Sequence, residues 1–271
     1  MVVVTGFDES ERRMWSGRAG AYADSFAALC AYTVPQLLDA AGVREGTRVL
    51  DVGTGPGTAA AAACARGAKV TAVDAEPGMA ELARQAAPAA EVKVAVLPEL
   101  PFADGEFDAV VSNFVINHVG RPRDALAELR RVVRPGGSVA VTVWAVPPAS
   151  GQALLGRAQQ AAGAVRPPEL PPLDPGHDFS RDPQGLVGLM ESAGLHGAGC
   201  ETVRWDHLAT AEQWWGGAAA GVGCVGQIVL NQSEQVRSEI KRQFELLCPE
   251  FARPDGRLAL PHAALLARVR R

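Results

Sequence analysis

"VLDVGTGPGTAAAA", residues 49–62, decides the fold. Apolar residues flank Asp51, glycines follow at Gly53, Gly55 and Gly57, and an alanine run begins at Ala59. A short apolar run reads as a buried strand, and the alanines read as a helix. The glycines therefore sit where strand hands over to helix. Glycine lets the backbone turn through positive φ and lets a ligand approach with no Cβ in the way. A parallel sheet binds ligands at the carboxyl ends of its strands, where the strand order reverses. The turn is built for close contact with a ligand.

Outward from this turn the chain alternates. "TRVLDV" (47–52) is a strand, with a helix over about 57–66. "AKVTAVD" (68–74) is the second strand, followed by a helix over "PGMAELARQAA". "EVKVAVL" (91–97) and "FDAVVSN" (107–113) are the third and fourth, and "RDALAELRRVV" (123–133) is the helix after the fourth. "RPGG" stops that helix, with Gly136 as a left-handed cap. "SVAVTVW" (138–144) is the fifth strand. Such alternation implies parallel pairing, right-handed crossovers and a doubly wound α/β sheet.

Residues 7–42 read as helical, carrying Trp15, Tyr22 and Phe26. After Trp144 the chain becomes proline-rich and irregular. Asp182 and Pro183 open a helix that Gly194 closes. "ETVRWDHL" is a sixth strand. Thr210 and Gln213 form a capping box. Another helix runs over about 232–248, and "RLALPHAALLARVR" is a last strand or, alternatively, a helix. The organisation expected is an N-terminal helical lid (1–42), a ligand-binding core (43–145), and a remainder (146–271) that completes the sheet and supplies a cap.

The chain has 271 residues, 48% of them hydrophobic, enough for a sizeable core. A formal net charge of −4, with lysine only at 69, 93 and 241, gives no overall pull toward nucleic acid. The arginines at 121, 123, 130, 131 and 134 are interleaved with Asp124 and Glu128, which suits a solvated helix face. The five cysteines are scattered without a CxxC pair, which fits reduced thiols rather than disulfides or a metal site. The first fifteen residues lack the basic head and long apolar stretch of a secretory leader. No run approaches the roughly 18 apolar residues of a membrane helix. These features lead to the expectation of a soluble, cytoplasmic protein with no membrane partner.

A dinucleotide turn needs glycine at position 58, where Thr58 stands. A phosphate-binding loop fails because no GK[ST] follows. Asp74 closes the second strand, where a carboxylate takes both hydroxyls of a ribose. A nucleoside without a pyrophosphate is the ligand these residues describe.

"VLDVGTGPG", "VTAVDAEPGM", "LPFADGEFDAVVSNFVINHV" and "ELRRVVRPGGSVAVTVW" resemble, in order and at family spacing, the successive motifs of class I S-adenosylmethionine-dependent methyltransferases. The resemblance covers about residues 45–145 and is strongest to the small-molecule branch that includes quinone-biosynthesis (type 11) methyltransferases. It implies a seven-stranded, mostly parallel, Rossmann-like sheet with a helical cap.

It also implies roles. Gly53, Gly55 and Gly57, with Thr54, line the methionine and ribose of S-adenosylmethionine. Asp51 holds the methionine ammonium, unless it only caps the turn. Asp74 binds the ribose, with Ala75 beside it, and Met79 packs on adenine. Asn113 approaches the methionine end, and the Tyr22 hydroxyl reaches the methionine carboxylate, unless Tyr22 is simply a buried lid aromatic. Where relatives carry an Asp–Ala pair against adenine, this chain has Val96 and Leu97. The Leu97 amide can still serve, and Glu99 stands near enough to substitute for the missing carboxylate. His118 is the candidate general base, unless it caps or braces the following helix, and Asn117 is a second anchor for the acceptor. Trp144, Trp205, Trp214 and Trp215 form either an apolar lid over a planar acceptor or a core. The expected reaction is methyl transfer to a small, apolar, aromatic metabolite, such as a natural-product or quinone-like acceptor. A non-catalytic cofactor-binding protein and a nicotinamide-dependent oxidoreductase stay open as alternatives. Oligomeric state is not legible.

Overall fold

The apolar run of the opening stretch is the strand β1 (Arg48–Val52), the hub of a seven-stranded sheet. The computed structural model describes residues 4–271. Positions 1–3, which entered the reading of the N-terminal stretch and of the lid, lie outside the described residues. The other strands are β2 (Lys69–Asp74), β3 (Glu91–Val94), β4 (Phe107–Asn113), β5 (Val133–Trp144), β6 (Gly199–Ala209) and β7 (Leu258–Arg270). Their order is β3-β2-β1-β4-β5-β7-β6. The first five pair in parallel, and β7 runs antiparallel between β5 and β6. The order reverses between β1 and β4, so the glycine turn after β1 faces the switch-point crevice.

Side chains alternate across a strand, and a sheet covered on both faces buries both sets. On one face, Leu50, Val110, Val141 and Leu265 pack with Leu126 and Leu129 of α7 (Pro122–Val132) and Met190 of α9 (Pro183–Ser192). On the other, Val49, Val111 and Ala140 pack with Leu37 and Leu38 of α4 (Val34–Ala40) and Ala60 of α5 (Thr58–Ala65). A third cluster joins the sheet's end to the cap helices α8 (Leu154–Ala161), α10 (Ala211–Ala219), α11 (Gly223–Leu230) and α12 (Glu234–Leu247). The helix α6 (Pro77–Ala86) follows β2.

Several boundaries differ from the sequence reading. The stretch 7–42 divides into α1 (Gly6–Trp15), α2 (Ala19–Ala23), α3 (Ala27–Ala31) and α4. The third strand ends at Val94 rather than 97, and Ala95–Leu97 turn in toward the crevice. The segment "RPGG" does not cap α7. Val133 turns extended straight after the helix and opens β5, so the glycines lie inside the strand. Gly136 has φ +74 and donates its amide to the Arg271 carbonyl, closing the sheet against the last residue. The Asp182 cap and the Thr210–Gln213 capping box both form.

Candidate active site

The three glycines of the turn do three different things. Gly53 has φ +69, and an added Cβ would stand 2.2 Å from Cγ2 of Val115. Its amide and that of Thr54 both donate to the Val73 carbonyl, at 2.8 and 2.9 Å, locking the turn to β2. Gly55 is open on its Cβ side apart from the Tyr22 ring at 3.7 Å. Gly57 caps α5 with φ +89, and a Cβ there would fall 2.7 Å from the Ala83 Cα. Gly53 and Gly55 line the crevice, whereas Gly57 does not: its task is the close packing of α5 against α6.

The crevice is a cavity of about 730 Å³. At one end stands Asp74, half-buried. Its Oδ2 accepts from the Gly55 amide at 2.8 Å and its Oδ1 from the Glu76 amide at 2.9 Å. Each oxygen keeps a further lone pair for a ribose hydroxyl. Burial raises its pKa above the ordinary carboxylate value, with those amides opposing the rise. Ala75, Met79, Val96 and Leu97 line the same end. Glu99 is exposed and does not reach the cavity, so no carboxylate replaces the one missing at Val96.

Asp51 is 1% exposed. Its Oδ2 accepts from Thr54 Oγ1 at 2.6 Å, and its Oδ1 has no partner among the described residues. Burial pushes its pKa up to about 6. A buried carboxylate oxygen left unpartnered costs free energy until a cation or donor meets it. Asp51 lines a small recess that shares Tyr22, Gly53, Gly55 and Asn113 with the main cavity. The ammonium of a methionine group fits that oxygen. Burial, then the neighbouring Cys30, raises the Tyr22 hydroxyl well above its ordinary value, so it remains a donor.

Asn113 lines the cavity, but its side chain is already engaged. Its Oδ1 accepts from Thr33 and Thr142, at 2.8 and 2.6 Å, and its Nδ2 donates to the Cys30 carbonyl at 3.0 Å. It ties the ends of β4 and β5 to α3. The next residue, Phe114, is the one non-glycine with positive φ among the described residues, at +60. Such a backbone costs on the order of 1–3 kcal/mol and persists where the surroundings over-determine it. Here the Phe114 ring stacks on Trp144 at 4.1 Å, and its amide donates to Thr142 Oγ1 at 2.9 Å.

His118 also lines the cavity, in the short 3-10 turn after β4. Its Nδ1 lies 2.9 Å from Glu11 Oε2, and Trp15 Nε1 donates to the same oxygen at 3.1 Å. The Trp15 ring meets both His118 and Tyr22 edge-on at 5.4 Å. Burial opposes charge on the imidazole, but the Glu11 carboxylate outweighs it, and the pKa is raised above 6.5. With Nδ1–H donated to Glu11, Nε2 is the nitrogen open to the cavity's contents. Asn117 does not line the cavity, and its Oδ1 accepts from Arg181.

The cap end is aromatic. Trp144 and Trp214 line it, Trp205 packs behind them, and Trp215 lies away against Phe244 and Lys241. The sequence reading missed Glu11, Gln152 and His262, all of which line the cavity. The signal for His262 was a single polar residue in the apolar run "LALPHAALLA". Nothing local marks Glu11. The arginines near α7 are committed to structure: Arg130 donates to the Gly194 carbonyl, Arg131 pairs with Glu128 and Asp104, and Arg134 with Asp108. No helix among the described residues is long and apolar enough to cross a membrane.

A methyltransferase-domain family model matches residues 50–141. A demethylmenaquinone methyltransferase of Beutenbergia cavernae is 34% identical over 170 residues, covering 60% of this chain and 71% of that protein. One from Renibacterium salmoninarum is 38% identical over 111 residues, covering 41% of this chain and 47% of its own length. Among solved structures, the YcgJ protein of Bacillus superposes with a TM-score of 0.55 at 18% identity, covering 89% of this chain and 98% of that one. A phosphoethanolamine N-methyltransferase 2 of Haemonchus contortus, solved with S-adenosyl-L-methionine, gives a TM-score of 0.53 at 18% identity, covering 88% of this chain and 52% of that one. With a glycine turn at the switch point, an Asp74 whose oxygens keep free lone pairs and an unpartnered buried oxygen on Asp51, the chain belongs to the class I S-adenosylmethionine-dependent methyltransferases of the type 11 kind.

Proposed function

We propose that this methyltransferase acts on a small, neutral, largely apolar and aromatic acceptor. The observation that carries the reading is the cavity's division. Its β1–β2 end holds Asp74 and the glycine turn, and its cap end holds Trp144, Trp214, Phe114 and Leu155. Residues 1–42 act as lid, 43–145 as cofactor-binding core, and 146–271 as the cap that selects the acceptor.

When bound, S-adenosylmethionine supplies an electrophilic methyl on a positively charged sulfur, open to in-line displacement with sulfur keeping the bonding pair. Asp74 binds the ribose, Asp51 and Tyr22 the amino-acid end, and Met79 and Leu97 the adenine. Asn113 holds the β4 and β5 ends in register beneath the reacting groups. Alignment of the acceptor about 3 Å from the methyl contributes roughly 7–11 kcal/mol of barrier lowering. His118 Nε2 takes the proton of an acceptor hydroxyl or acidic carbon, and Glu11 holds the ring by Nδ1 and stabilises the charge that results. For such acceptors, His118→Ala lowers kcat by about 10²–10⁴.

The test is a methyl-transfer screen with labelled cofactor, comparing small aromatics with tRNA, DNA and peptides. Turnover of small aromatics supports the reading. Methylation of a macromolecule with no small aromatic turned over would overturn it.

A further inference from the structure

His262 stands in the cap end of the cavity and has no role in the reading above. It lies on β7, opposite Trp205 of β6, and is 2% exposed. Its ring is enclosed by the rings of Trp144, Trp205 and Trp214, with centroids 5.4–5.9 Å away. Nδ1 lies 2.7 Å from the Leu260 carbonyl. A carbonyl only accepts, so Nδ1 carries the proton and Nε2 carries a lone pair. Nε2 has no hydrogen-bond partner among the described residues.

Two more polar atoms of the cavity wall at this end are unpartnered, as is Nε1 of Trp205 behind the wall. Trp214 is 5% exposed and lines the cavity, and its Nε1–H donates to nothing among the described residues. The buried Oε1 of Gln152, also on the cavity wall, accepts from nothing. Buried polar atoms are normally hydrogen-bonded, and each orphan costs about 1–3 kcal/mol. The acceptor Nε2 of His262 and the donor Nε1–H of Trp214 face one aromatic box and point to a ligand that completes both. The cavity residues from β5, β7, α8, α10 and α11 include no carboxylate, lysine or arginine. The charged lining comes from α1 and the end of β2.

We infer that the cap end is an acceptor subsite for a neutral planar ring bearing a hydroxyl, and that His262 is its specificity-determining residue, accepting from that hydroxyl through Nε2. The inference rests on the acceptor class proposed above and adds the group that recognises it. A hydroxyl has one donor and two lone pairs, so it can give its proton to His262 while accepting from Trp214 Nε1–H. A carboxylate has no proton for Nε2 and finds no cation here. An ammonium finds no counter-charge. Burial lowers the His262 pKa to about 4, so the ring stays neutral and accepting across ordinary pH. That low basicity separates it from His118: His262 recognises a hydroxyl that keeps its proton, and the deprotonation of a separate reacting group is left to the stronger base.

The test is binding rather than turnover. The whole chain, saturated with S-adenosylhomocysteine, is titrated with 1-naphthol, with its methyl ether 1-methoxynaphthalene and with 1-naphthoate, read by tryptophan emission and calorimetry. The expected result is 1-naphthol about tenfold tighter than the ether, the loss of one neutral hydrogen bond with its partner left buried. The anion should be weaker still. In His262→Phe the naphthol preference should disappear while S-adenosylhomocysteine binds as in the wild type. If that variant does not fold, the wild-type comparison of naphthol with ether still decides. Equal affinity for the two, tighter binding of the naphthoate, or an unchanged preference in folded His262→Phe each overturns the inference. If the preference depends on His262 but no small aromatic is methylated, the subsite stands and the acceptor reading fails. If small aromatics are methylated with no hydroxyl preference, the subsite fails alone.

Discussion

Asp51 is ionised against its surroundings. Its folded-state pKa of about 6 lies above the ordinary carboxylate value because burial outweighs the Thr54 hydrogen bond. A raised acid pKa stabilises the fold while the group is protonated, and that stability is lost as pH rises from about 4 through about 6. Above pH 7 the cofactor-free protein carries the cost, and Asp51→Asn should raise its unfolding free energy by about 2–3 kcal/mol, measured by denaturant titration. A bound ammonium favours the carboxylate, so S-adenosylhomocysteine affinity should climb between pH 5 and 7 with proton release on binding. Calorimetry in two buffers checks this, and Asp51→Asn should flatten the dependence. Gly53→Ala tests the turn. The new Cβ meets Val115 and the φ of +69 strains any L residue, so cofactor binding should fall at least tenfold. Gly53→Ala/Val115→Ala should recover part of that loss, because it removes the clash and leaves the strain.

The helix α1 is clasped over the cavity at two points. Asp8 accepts from the Thr5 amide and caps the helix start, and its Oδ1 accepts from the Gly120 amide at 2.6 Å. One turn later Glu11 meets His118. Folding raises the His118 pKa through Glu11, so this clasp is fully present below about pH 6.5 and weakens as pH rises through the folded value. Amide exchange in α1, corrected for its intrinsic pH dependence, should therefore accelerate on going from pH 6 to pH 9. In Glu11→Gln the helix should exchange faster at pH 6 and respond less to pH. The acid limb of the turnover profile should also move to lower pH in that variant, because the charge that raises the His118 pKa is gone. A merely structural Glu11 would leave that limb in place.

At the scale of the whole molecule, the proposed cofactor site is walled by α1, the glycine turn and the end of β2, so a cofactor bound there should stabilise all three together. Saturation with S-adenosylhomocysteine at 100 times its Kd should add about 2.7 kcal/mol to the unfolding free energy. NAD should add nothing, since Thr58 stands where a dinucleotide turn needs its last glycine. A thermal-shift comparison of the two ligands at equal concentration measures this.

The α/β alternation, the cofactor turn and the place of Asp74 were legible because each is written in a few neighbouring residues. A parallel strand is an apolar run, a tight turn is a glycine, and a helix start is a cap such as Asp182 or Thr210, all set by local sterics and hydrogen bonding. The division of labour among the glycines was not legible. Gly53 answers to Val115 and Gly57 to Ala83, contacts between segments far apart in the chain. Gly136 looked like a helix cap, yet its amide partner is Arg271, just past the end of the neighbouring strand β7 and far away in the chain. The cap end of the cavity was hidden for the same reason. Glu11 reaches His118 across 107 positions, and the box around His262 draws on β5, β6, β7 and α10. The sequence by itself determined the sheet, the family and the glycine turn after β1, because those rest on local chemistry. Only the tertiary structure decided which polar atoms are left buried without partners, because that depends on which distant segments the packing brings together.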